Sequence, residues 1–171
     1  GLGEDVELEW QIDTSEDFGN PQTGTVTTSA DSDHTVHVDP DGLEPATEYF
    51  YRFIVKSGEF EGATSPVGRA LTAPEADASV DNLNLAIASC ANWESGFFAA
   101  YGDMAQRARG GEIDHVVFLG DYIYEYPTGE YAGKSGVARM HHPEWEITTL
   151  EDYRQRHGRY RTDLNLSLIH I

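Results

Sequence analysis

Apolar and polar residues alternate strictly from 6 to 12, which puts Val6, Leu8, Trp10 and Ile12 on one face of a strand. The same period of two recurs over 35–38 (Thr-Val-His-Val) and 49–55 (Tyr-Phe-Tyr-Arg-Phe-Ile-Val). Turn formers stand between these runs: Gly19-Asn20-Pro21, residues 31–33, Pro40-Asp41-Gly42 and Ser57-Gly58. Short strands separated in this way predict a β-sandwich. Residues 74–82 are polar and aperiodic and read as a linker. Beyond them the pattern changes class. An apolar run over 83–89 predicts a buried strand, followed by a helical stretch at roughly 97–109 with Phe98, Tyr101, Met104 and Ala105 on one face. Gly110-Gly111 ends that helix, and His115-Val116-Val117-Phe118-Leu119 predicts a second buried strand. Strand–helix–strand of this kind is a βαβ unit, hence a parallel sheet with its loops at one edge. Thr148-Thr149-Leu150-Glu151 reads as a capping box opening a last helix, roughly 149–162. The expected organisation is two domains, 1–73 and 83–171, joined by the 74–82 linker.

Composition narrows the classes of partner. The net charge of −19, from 30 acidic and 11 basic residues, repels nucleic acid and anionic membranes. Only two of the basic residues are lysines, Lys56 and Lys134, a balance that fits a saline environment. Cys90 is the only cysteine, so no internal disulfide forms. No apolar run approaches the ~18 residues of a membrane span. The N-terminus has neither a Met nor a charged-then-apolar leader, so any signal peptide is expected to lie outside this sequence.

Candidate chemistry gathers at the strand ends. In an open α/β sheet ligands collect beyond the carboxyl ends of the strands, and Cys90 and Asp121 each follow such an end. An aspartate there can bridge two cations through its two oxygens, as two-metal hydrolysis requires. Tyr124, three residues on, could return a phenolate to one of them. Carboxylate, phenolate and thiolate together suit a trivalent iron better than magnesium alone. The plainer alternatives are a small buried cysteine and an ordinary Gly-Asp loop. His141 and His142 are adjacent, so their side chains diverge and are not expected to share one metal, the alternative being that either one alone is a ligand. His115, at the start of a strand, reads as structural. Asn92 and Glu94 read as surface-loop residues, with a role facing the site as the alternative. Tyr153, Arg154, Arg156, Arg159 and Arg161 lie on the last helix of an acidic chain; such arginines are expected to pair with carboxylates, the alternative being contact with a phosphate.

Two family resemblances follow. Leu43-x-Pro45-x-Thr47-x-Tyr49-x-Tyr51 resembles the fibronectin type III turn, in which a tyrosine hydroxyl bonds backbone at the sheet corner. Tyr49 would be that residue, and Trp10 the core tryptophan. Ser89-Cys90, Leu119-Gly-Asp-Tyr-Ile-Tyr-Glu-Tyr126 and Thr149-Leu-Glu-Asp-Tyr-Arg-Gln-Arg156 closely resemble the alkaline phosphatase D (PhoD-type) family. Ser65-Pro-Val-Gly-Arg69 is similar to the junction between that family's two domains, and the likeness runs from about 6 to 163.

The resemblance implies a fibronectin type III-like β-sandwich followed by the start of an α/β, calcineurin-like metallophosphoesterase domain. It implies a secreted or periplasmic enzyme that hydrolyses phosphate monoesters and diesters by attack of a metal-bound hydroxide, with ferric iron and calcium as cofactors. Matched by motif, Cys90 and Tyr124 correspond to iron ligands and Asp121 to the catalytic carboxylate shared between metals. The family continues to a Trp-Asp-Asp-His-Glu segment and later Asp and His ligands that this sequence does not reach. The expectation is therefore an incomplete portion with weak metal binding and little hydrolysis. Ser167-Leu168-Ile169-His170-Ile171 departs from the family and is expected to be non-native. A secreted β-sandwich binding module with an inert remnant is the competing reading.

Overall fold

The computed structural model describes residues 3–167 and divides into two compact units between Val80 and Asp81. The expectation of a non-native tail falls on Ser167, which ends the last helix, and on 168–171, which lie outside the described residues. Among the described residues no helix is long and apolar enough to cross a membrane.

The first unit is built on one antiparallel sheet of β1 (Val6–Asp13), β2 (Gln22–Thr28), β3 (Glu48–Val55) and β4 (Gly68–Leu71), in the order β2-β1-β3-β4. The alternation seen in sequence sets the register. Leu8, Trp10 and Ile12 pair with Val55, Phe53 and Tyr51, which places these six residues on one face. Two aromatic rings on this face lie over glycines directly opposite them. A Cβ on Gly24 would come within 2.6 Å of the Trp10 ring, and one on Gly68 within 2.2 Å of Tyr51. The other face carries Phe50 and Ile54 together with a polar network: Gln11 donates to Glu9, Arg52 donates to Gln11, and Lys56 pairs with Glu9 at 3.3 Å. Tyr49 is buried, and its hydroxyl accepts from the Glu44 N–H at 2.9 Å. Trp10, expected in the core, is only half-buried.

Residues 35–38 form no strand, contrary to expectation. Val36 and Val38 still turn inward while their neighbours face out, but both ladders of β1 and both of β3 already have partners. The strand that pairs with β1 is instead threonine-rich β2, in which only Val26 is a large apolar residue.

In the second unit β5 (Leu85–Ala88) and β6 (His115–Phe118) pair in parallel around α1 (Ala99–Arg109), the expected βαβ arrangement. The helix α2 (Leu150–Arg161) and the short α3 (Leu164–Ser167) follow. The core is aromatic: Trp93, Tyr101 and Tyr160 with Ala88, Ala91 and Leu166, and Phe98, Met104, Phe118, Tyr122 and Ile123 packed against them. The capping box of α2 lies one residue later than expected. Thr149 Oγ1 accepts from the Asp152 N–H at 3.2 Å, and Asp152 Oδ2 accepts from the Thr149 N–H at 3.1 Å. The shorter Asp152 carboxylate also accepts from the Trp145 indole, a bond that holds the preceding chain to the helix start.

The strands are not buried on both faces. Ala86, Ala88, Val116 and Phe118 turn inward, whereas Leu85, Ile87, Val117 and Leu119 are exposed, Ile87 and Leu119 to 64% and 68%. Parallel sheets normally have both faces covered; here the described residues cover one. Glu94, expected on a surface loop, is fully buried. Its Oε1 accepts from the Gly129 N–H at 2.7 Å, and its Oε2 lies 3.7 Å from Nε2 of buried His141. Burial, and then the charge of Arg156, pull the His141 pKa down to about 4.

Because the folded chain disfavours charged His141, its stability contribution is complete above pH 6.5 and is lost as pH falls toward 4. Urea unfolding across that window should show the parent losing about 3 kcal/mol more than His141→Gln. Parallel curves for the two proteins would refute the assignment. In the first unit, Gly24→Ala forces Trp10 off its position and should cost about 1–3 kcal/mol in denaturant unfolding, with a change in tryptophan emission. An unchanged midpoint would show that the ring is free to move.

Candidate functional site

Beyond the carboxyl ends of β5 and β6, two turns bind each other crosswise. The Cys90 N–H donates to Gly120 O at 3.2 Å, and the Ala91 N–H donates to Asp121 O at 2.9 Å. Both bonds hold side-chain-bearing residues at left-handed φ, 58° at Cys90 and 54° at Asp121. That conformation is disfavoured for residues with a Cβ, and such outliers concentrate at functional sites.

The turns bring Cys90, Asp121 and Tyr124 together around one oxygen. Cys90 Sγ lies 3.6 Å from Asp121 Oδ2, and Tyr124 Oη donates to the same Oδ2 at 3.2 Å. Burial, then the bond to Cys90 and the charge of Asp121, raise the Tyr124 pKa above the ordinary tyrosine value. Without a cation the phenol therefore keeps its proton. A thiolate, a carboxylate and a phenolate at these distances would repel one another unless a cation lay between them. Metal bonds of ~2.0–2.1 Å to oxygen and ~2.3 Å to sulfur, at angles between octahedral and tetrahedral, separate donor atoms by ~3.0–3.6 Å. The two separations fall in that range, so the residues present fit a metal ion. Only Cys90 and Asp121 are of the His, Cys, Asp and Glu type, and among the described residues no group of three or more such side chains that could hold a metal ion occurs here or elsewhere.

Tyrosines border this cluster. The ring of Tyr131 lies 5.2 Å from that of Tyr124 and 5.1 Å from that of Tyr126. Asn92 does not present its amide to the cluster: Oδ1 accepts from the Glu94 N–H, and Nδ2 donates to Tyr131 O at 2.8 Å. His141 is buried with Glu94, His142 is exposed, and His115 is exposed at the first position of β6.

The helix arginines take separate roles. Arg159 lies over the Trp93 ring at 5.0 Å, and Arg161 opposes the burial that raises the Tyr122 pKa. Arg156 pairs with no carboxylate. It is fully buried and donates to four backbone carbonyls: Tyr124 at 2.6 Å, Tyr126 at 3.2 Å, Pro143 at 2.7 Å and Trp145 at 3.1 Å. Sequence reasoning missed this role, together with those of Glu94 and Tyr160. No local pattern separates an arginine aimed at carbonyls from one aimed at water.

The family description PhoD-like phosphatase matches residues 85–171, and PhoD-like phosphatase, N-terminal domain, matches residues 2–74. Alkaline phosphatase D of Bacillus subtilis (strain 168) is 42% identical over 166 residues, 96% of this chain and 27% of the relative. A solved structure of PhoD is 41% identical and aligns with a TM-score of 0.88 over 98% of this chain and 30% of that one. The chain thus spans between a quarter and a third of the length of these relatives. With both domain descriptions matched in order along the sequence, it belongs to the PhoD-like phosphatase family.

Proposed function

We propose that this chain carries part of the metal centre of a phosphoester hydrolase acting on phosphate mono- and diesters outside the cell or in the periplasm. The observation that carries the proposal is the convergence of Cys90, Asp121 and Tyr124 on one point past the strand ends. Family membership and the alkaline phosphatase activity named for the relative point to the same chemistry. The first unit is assigned as a fibronectin type III-like domain (1–73), supported by the Tyr49 hydroxyl bonded to backbone at the sheet corner. Residues 74–82 are its linker, and 83–171 open a calcineurin-like domain, supported by the parallel βαβ unit.

In this reading the three side chains hold a ferric ion, whose preference for anionic oxygen and sulfur donors suits the set. Calcium ions would complete the centre, with Asp121 among the residues that would hold them. The cations would supply an activated water and neutralise charge on the phosphate oxygens. The chain's own residues do the rest. The paired turns aim the donors outward from the sheet, and the Tyr124 proton held on Asp121 is the one that cation binding displaces. The binding-module reading gains no support from the first unit, because Tyr49 is buried and Trp10, Tyr51 and Phe53 are half-buried.

Asp121→Asn should remove iron and phosphoester hydrolysis from the native gene product while leaving its melting temperature nearly unchanged. Asparagine tolerates the left-handed φ at this position. Metal analysis and turnover of a nitrophenyl phosphate check both parts. Parent-like iron content in Asp121→Asn would contradict the assignment. Tyr124→Phe should abolish the visible tyrosinate–iron(III) absorption of the iron-loaded chain; if the band survives, another tyrosine is the ligand.

A further inference from the structure

One face of α2 reaches both turns that carry the candidate ligands. Arg156 and Tyr160 are four residues apart on that face, and both are fully buried. The Tyr160 hydroxyl accepts from the Trp93 N–H at 3.1 Å, three residues beyond Cys90. Arg156, on the same face, donates to the Tyr124 carbonyl, three residues beyond Asp121, at 2.6 Å. The Tyr124 main chain and the turn after Cys90 are therefore both held by one helix.

Neither residue faces a substrate. All four Nη bonds of Arg156 go to carbonyls, and the side chain has no exposed surface on which a phosphate could sit. A lysine could not replace it, since an ammonium lacks the planar fork that meets carbonyls on both sides.

We infer that Arg156 and Tyr160 are positioning residues for the candidate metal centre: through them α2 fixes where the Tyr124 phenol stands relative to Asp121 and Cys90. The inference rests on the reading of those three residues as metal ligands. Contacts that orient metal ligands typically change affinity by about 10–100-fold when lost. Loosening the Tyr124 main chain or the turn after Cys90 should therefore weaken iron binding even though neither residue touches the metal.

The test is titration of the full chain with ferric iron alone, following the visible tyrosinate–iron(III) absorption. Parent, Arg156→Lys and Tyr160→Phe are compared, with the substitution Glu151→Ala at an exposed helix residue as control. Tyr160→Phe keeps the ring packed on Trp93 and Tyr122 and removes only the acceptor oxygen, so it decides the matter even where Arg156→Lys does not fold. The expected result is a parent and control with the same band, and folded variants that bind iron about 10–100-fold more weakly with the band shifted or lost. Far-UV circular dichroism establishes that the variants are folded. Folded variants with parent affinity and an unchanged band overturn the inference and leave the metal reading standing. A parent with no band and no iron binding overturns both.

Discussion

The buried guanidinium of Arg156 is the constraint on which the second unit depends. Between β6 and α2 the chain runs about thirty residues without a helix or strand, and a segment of that kind must still place its carbonyls. Four of them, at Tyr124, Tyr126, Pro143 and Trp145, end on this one side chain. Taking a charged group fully out of water is costly unless its donors are satisfied. Burial lowers the Arg156 pKa from the ordinary arginine value, with the carboxylate of buried Glu94 among the groups opposing the shift. The arrangement persists because the helix that carries Arg156 is itself capped and packed through Tyr160 into the aromatic core.

The candidate site inherits its shape from that brace. The turn after β5 is fixed at Trp93 and the turn after β6 at Tyr124, and the two are bonded to each other at Cys90 and Asp121. Held at both ends, the turns can keep two residues in left-handed conformations that an isolated loop would abandon. The three side chains are thereby brought together around one Asp121 oxygen.

Much of this was legible in sequence where a pattern is local. The alternation over 6–12 predicted β1, the apolar runs on either side of α1 predicted the parallel pair, and the Tyr49 hydroxyl bonds backbone as its motif implied. What escaped depends on partners distant along the chain. Residues 35–38 have a strand's pattern yet pair with no strand, whereas β2 has little pattern and pairs along β1. The apolar runs of β5 and β6 read as doubly buried, yet burial depends on what covers each face, which no strand states about itself. Arg156 and Glu94 were misplaced for a related reason: a charged residue gives no local sign of whether its partner is water, a carboxylate or the backbone of a loop thirty residues away. Cys90, Asp121 and Tyr124 were singled out by strand ends and short spacings, which are local features, and the structure brings the three side chains together.

Extended X-ray absorption at the iron edge of the native gene product tests the metal centre most directly, because Cys90 is the one cysteine in this sequence. The geometry predicts a single sulfur neighbour at about the ~2.3 Å of metal–thiolate bonds, beside a shell of oxygens, with the sulfur signal absent from Cys90→Ser. An iron surrounded only by oxygen and nitrogen, or a sulfur signal that persists in Cys90→Ser, would contradict the placement of the metal at this cluster.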